Sequence, residues 1–199
     1  MTHLIPTTAV VIGLLMALIN LVRRKWMVNV VCLSIQYLCV FVLYPKSEGI
    51  YPALIKLIVG LMISLIIYLT ILSTEAIHRE KVNFRLSVGE VFRALSGLFF
   101  ILLVVLAAPW INEEIFTKSS TLIIIFSFGL ILLGLLQLGS KVEPLYIIIG
   151  LLTFLSGFEL LYGSLEFSAI LEALFAAVNL ILAIAGAFFI IKDWESEKT

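Results

Sequence analysis

The chain has 199 residues, of which 62% are hydrophobic and 13% charged. A water-soluble domain averages about 45–50% apolar and about 25% charged residues, so this apolar excess cannot all be hidden in one core and must face lipid. Thirteen Lys and Arg balance thirteen Asp and Glu, which leaves no net field to draw in nucleic acid.

A transmembrane helix needs about 20 apolar residues, with about 17 as a working minimum, and Gly, Pro and charges interrupt this chain at nearly that interval. The pattern predicts seven spans, at about 6–22, 27–44, 51–73, 91–111, 120–138, 145–163 and 169–191. The first is expected to stay as a helix, because no positive region precedes it and the first basic residue is Arg23. Cys32 and Cys39 share the second span, seven positions apart. On a helix that is roughly 10 Å along the axis, too far for a disulfide. The long connector 74–90 alternates acids and bases and reads as a solvated surface, and 192–199 reads as a polar tail.

Lys and Arg concentrate in short cytoplasmic loops of membrane proteins. In a seven-span arrangement Arg23, Arg24, Lys25, Arg79, Lys81, Arg85, Arg93, Lys141, Lys192 and Lys198 fall on one side, and only Lys46 and Lys118 on the other. The expected topology therefore has its N-terminus outside and its C-terminus in the cytoplasm. Trp26, Trp110, Trp194, Tyr44, Tyr51, Tyr146 and Tyr162 lie near span ends, where amphipathic rings sit at headgroup level.

Spans one to three and five to seven have the same plan and align at a shift of 116: Gly13-Leu14 falls on Gly129-Leu130, Lys25 on Lys141, Ala53 on Ala169, and Lys56 on Glu172. The fold class this predicts is an all-α integral membrane protein, a single membrane domain of two parallel three-helix repeats. These are repeat one at about 6–73 and repeat two at about 120–191, joined by a connector at 74–111. One joining helix gives both halves the same orientation, so they would be related about an axis along the membrane normal. Span four carries no central polar residue, only Arg93 and Ser96 toward one end and Pro109 toward the other, and reads as a lipid-facing connector.

Lys56, Glu159 and Glu172 lie inside apolar spans, where a charge costs about 2.5–3.5 kcal/mol at helix centre and is a functional candidate by default. The plainer alternative is snorkelling to the headgroups, since Lys56 and Glu159 lie only four or five residues inside their span ends. The neighbours favour burial. Ala169, Ala173, Ala176 and Ala177 surround Glu172, with Asn179 seven residues on; Gly60 and Ser64 follow Lys56; Ser156 and Thr153 precede Glu159 at three-residue steps. Small residues let helices approach closely and shield a charge from lipid. On span two, Asn29, Cys32, Gln36 and Cys39 form one stripe, which interhelical hydrogen bonding alone could explain. A buried lysine with two carboxyls has two uses: a structural ion pair that sets helix register, or a group that takes up and releases protons as the field around it changes.

The chain has no CxxC, no His cluster and no glycine-rich phosphate loop, and His3 and His78 fall in tail or loop. No metal, cofactor or autonomous enzymatic activity is expected.

Seven spans, with Leu54-Ile55-Lys56-Leu57 in the third, a Gly157-containing sixth and Ile170-Leu171-Glu172-Ala173-Leu174-Phe175-Ala176 in the seventh, resemble the component E subunit of hydrogenase 4. That family belongs to the membrane arms of group 4 nickel-iron hydrogenases and related prokaryotic complexes. Its halves are similar to the small three-helix subunit of respiratory complex I, called K or 4L, which contributes carboxylates to a proton path. The resemblance implies a non-catalytic subunit in a cytoplasmic (inner) membrane, partnered by antiporter-like membrane subunits and redox subunits. Lys56 would match the family's third-span lysine, and Glu172 an acid in its last span. Span six departs: where the family has Met-Glu-Asn-Gly, this chain reads Phe154-Leu155-Ser156-Gly157, and Glu159, one turn after Leu155, is the candidate replacement. The expected candidates for ion movement are thus Lys56, Glu159 and Glu172, supported by Gln36, Asn29, Ser156 and Asn179. The competing readings are a purely structural subunit, with Lys56 paired to Glu172 across a pseudo-twofold axis, and a freestanding small transporter. The transporter reading lacks a span broken by central Gly or Pro.

Overall fold

The computed structural model describes residues 4–44, 51–74, 88–114, 119–140, 143–165 and 168–196. Seven α-helices account for nearly all of them: α1 Leu4–Val22, α2 Trp26–Leu43, α3 Tyr51–Ser73, α4 Val88–Glu114, α5 Thr121–Ser140, α6 Pro144–Leu165 and α7 Ala169–Ser196. All seven are long and apolar enough to cross a membrane. At 1.5 Å per residue they run roughly 27–42 Å, against about 30 Å of hydrocarbon. The chain is therefore all-helical and multi-pass. Lys46, Arg79, Lys81, Arg85, Lys118, Lys141, Lys198, His3, His78 and most of the 74–90 connector lie outside the described residues.

The helix boundaries follow from local chemistry. Arg23, Arg24 and Lys25 cannot remain in hydrocarbon and separate α1 from α2. Pro144 opens α6, where a first-turn residue needs no amide hydrogen for the helix. Both tight turns are tied by a buried amide: Asn29 Nδ2 donates to the Arg23 carbonyl at 3.3 Å, and Gln137 Nε2 to the Tyr146 carbonyl at 2.9 Å. Helix α7 continues to Ser196, so the described part of the polar tail, 192–196, is helical.

The helices form two layers of three. One layer is α1, α2 and α3 side by side; the other is α5, α6 and α7. Across the layers α1 packs on α5, α2 on α6 and α3 on α7. A half-turn about the membrane normal would instead set α1 against α7 and α3 against α5, so the expected twofold relation is corrected: the layers stack in the same order, as a shift would place them. Helix α4 lies against α1 and α5 and closes that end. Its inner stripe is Arg93, Gly97, Val104 and Ala108; Phe92, Leu95, Phe99, Leu102 and Leu106 point outward.

The closest helix contact is α5 on α6. A methyl group added at Gly134 would lie 2.6 Å from the Phe154 backbone nitrogen, and one at Gly157 would lie 2.6 Å from the Ser127 carbonyl oxygen. Backbone meets backbone there, and small residues are what allow it. Gly157→Val should therefore lower stability by about 1–3 kcal/mol or more, read as a lower thermal unfolding midpoint in detergent. An unchanged midpoint would show that the two helices can separate freely.

The aromatic side chains near helix ends differ in exposure. Trp110 and Tyr51 are exposed at helix ends, but Trp26 is buried against Tyr68, with ring centroids 6.2 Å apart, and Tyr44 and Tyr146 are also buried. Those three stand at helix ends, as expected, but are covered by neighbouring helices.

Candidate functional site

The polar core lies at the α3/α7 end of the layers, on the opposite side of the bundle from α4. Lys56, on the second turn of α3, faces inward because Gly60 and Ser64 below it are buried on the same stripe. Gly60 leaves room for the Tyr37 ring, which a methyl group there would meet at 2.4 Å. From α7, Glu172 and Asn179 point inward on a stripe continued by Ala183, Gly186 and Ile190. From α6 come Glu159, Ser156 and Thr153, all at most 5% exposed.

These groups make a connected set. The Lys56 ammonium donates to Glu159 Oε2 at 2.6 Å, with side-chain exposures of only 10% and 5%. Asn179 Nδ2 donates to the other Glu159 oxygen. Glu172 Oε1 accepts from the Tyr44 hydroxyl at 2.6 Å. The Tyr44 ring links the two halves of the set, since Lys56 Nζ lies 5.4 Å from its centroid, within cation–π range. One turn deeper, Thr153 donates to the Gln36 side-chain oxygen at 3.5 Å.

Two small clefts meet at this cluster. One is lined by Tyr37, Lys56, Ser156, Glu159, Glu172 and Asn179 among others, and the second by Tyr44, Lys56, Glu159, Tyr162, Gly163 and Glu172. Each offers about 10 Å³ of room for the centre of a water molecule, enough for about one ordered water. Gln36 Nε2 and Asn179 Oδ1 are buried nearby without a hydrogen-bond partner, and such atoms are where internal water binds.

The polar set stops part-way along the bundle. Between α2, α3, α6 and α7, the side chains of Leu33, Ile63, Ile67, Ile149 and Leu152 are completely buried in one apolar cluster that runs from Tyr37 to Trp26. This dry segment separates the Lys56 cluster from Asn29, Thr70 and Thr74 at the other end.

Of the residues expected from sequence, Lys56, Glu159, Glu172, Ser156 and Asn179 converge, and Gln36 joins them one turn below. Asn29 does not; it ties the α1–α2 turn. The pairing of Lys56 with Glu172 is corrected, because Lys56 takes Glu159 and Glu172 takes Tyr44. Ala173 and Ala177 face outward, so the close-packing face of α7 is narrower than its alanines suggest. Tyr44 and Tyr37 are the members that sequence reasoning missed. Tyr44 is 128 positions from its partner, and no spacing rule connects them.

Comparisons with protein families, with curated proteins and with solved structures find no match to this chain. Among the described residues no group of His, Cys, Asp and Glu is arranged to hold a metal ion.

Proposed function

We propose that this chain is a non-catalytic subunit of a multisubunit membrane complex, of the complex I-like or group 4 hydrogenase-like kind, in which Glu172, Glu159 and Lys56 carry part of an ion path. One observation supports this above the rest: the buried cluster contains two carboxyls and one lysine. Fully ionised, it would hold one net negative charge inside an apolar bundle, an arrangement that desolvation penalises. One proton or one cation taken from water cancels it. Because Lys56 already neutralises Glu159, the exchangeable charge belongs to Glu172, whose side chain, among the described residues, accepts a hydrogen bond from the neutral Tyr44 phenol.

The dry segment below Tyr37 supports a role within a larger assembly. A path that enters at the Lys56 end meets the apolar cluster between α2, α3, α6 and α7, so onward transfer would pass sideways to a neighbouring subunit or wait for that segment to open. Both halves having the same orientation, with the basic loops on the cytoplasmic side of a prokaryotic inner membrane, completes the reading.

Isolation from the native membrane in mild detergent tests it. The chain should migrate in an assembly of several hundred kilodaltons with antiporter-like and redox subunits. Migration alone or as a small homo-oligomer would overturn the subunit reading and turn the cluster into a candidate transporter site.

A further inference from the structure

A second group of charges meets at the opposite end of the bundle, where α1 ends at Val22 and α4 begins at Val88. Arg93 stands in the second turn of α4 and is only 9% exposed. One turn further on, Gly97 packs on Leu18 and Leu21 of α1 and on Leu133 of α5. Arg93 therefore lies one helical turn before the point where α4 meets α1 and α5, toward the end of α1 that leads into Arg24. Its Nε has no hydrogen-bond partner, and among the described residues no carboxylate forms an ion pair with it.

An arginine carries five donors and is never neutral, so a buried one with an idle nitrogen is a costly arrangement unless an anion completes it. Among the described residues, the charged groups that act electrostatically on Arg93 include Arg24, Glu90 and Glu143. Glu143 is already engaged by Arg24 at 3.8 Å, with both side chains about half exposed. Arg23 and Lys25 flank the same turn. Beside the corner, α4 presents Phe92, Leu95 and Phe99 outward.

We propose that the corner between Arg24 and Arg93 binds a phosphate-bearing anion, with the buried Arg93 and the half-exposed Arg24 as its donors. Guanidinium geometry suits phosphate oxygens in pairs, and basic pockets between transmembrane helices are typical sites for anionic headgroups. The outward apolar face of α4 could carry an acyl chain, although the same corner would also accept free phosphate. This site is independent of the Lys56 cluster.

The test uses the purified, delipidated full chain in detergent. Its thermal unfolding midpoint is followed during titration with phosphatidylglycerol, phosphatidylcholine or inorganic phosphate. Phosphatidylglycerol should raise the midpoint and phosphatidylcholine should not. Arg24→Gln should weaken the apparent affinity about fivefold and Arg93→Gln at least as much, while Lys192→Gln, on α7, should change nothing. A response to phosphatidylglycerol alone identifies a lipid headgroup, and an equal response to inorganic phosphate identifies free phosphate; either upholds the site. Equal responses to both lipids, no response to any phosphate species, or an unaltered response in Arg24→Gln would overturn it. Because Arg24 is half exposed, its variant keeps the test open even where Arg93→Gln fails to fold.

Discussion

Replacing Lys56 with methionine should destabilise the protein by about 3–5 kcal/mol, the usual cost of leaving one member of a buried ion pair without its partner. Glu159 would keep its bond from Asn179 but lose the only positive charge in contact with it among the described residues. On the usual scaling this is a fall in thermal midpoint on the order of 10 °C. The double variant Lys56→Met with Glu159→Gln should recover most of that loss, because it removes both charges together and leaves an amide that can still meet Asn179. Exchanging the two residues, Lys56→Glu with Glu159→Lys, should also restore folding better than either single change, whereas exchanging Lys56 with Glu172 should not. Thermal unfolding in detergent separates these outcomes. A single variant as stable as the parent, or a double variant no better than the single, would mean that the 2.6 Å contact does not hold α3 to α6.

Glu172→Gln should act differently. The amide oxygen can still accept from the Tyr44 hydroxyl, and no charge partner is orphaned, so folding and assembly should survive. What is lost is the one carboxyl whose charge Lys56 does not neutralise. Removing a proton-transfer group typically costs of order 10²-fold or more in the step it serves. Coupled ion pumping by membrane vesicles carrying the variant complex should fall to a small fraction of the parent's, while the amount of assembled complex on a native gel stays the same. Tyr44→Phe should be milder, since it removes one hydrogen bond and keeps the ring beneath Lys56. Full pumping by Glu172→Gln would remove ion translocation from this cluster and leave it a structural one.

The number and placement of the helices were legible in the sequence because a bilayer imposes a length: about 20 apolar residues must separate each interruption. The same rule exposed Lys56, Glu159 and Glu172, since a charge inside such a run is conspicuous. The facing of each helix was only partly legible. In a soluble protein the apolar stripe marks the inner face, but here lipid is as apolar as the core, so hydrophobicity is nearly the same all round each helix. Small and polar residues were the remaining guide. They served for Gly60 and Ser64 beside Lys56, and misled for Ala173 and Ala177, which turn outward.

By itself, then, the sequence determined a seven-helix membrane protein with three charges buried in apolar spans. Only the tertiary structure decided that the two layers stack in the same order, that Lys56 meets Glu159 and not Glu172, and that Tyr44 closes the set from the end of α2. The physical reason is common to all three. Ion pairs and hydrogen bonds act over about 3 Å, and which groups come that close across more than 100 positions of chain depends on how seven nearly uniform cylinders pack, a choice made by a few glycines and side-chain shapes spread over separate helices.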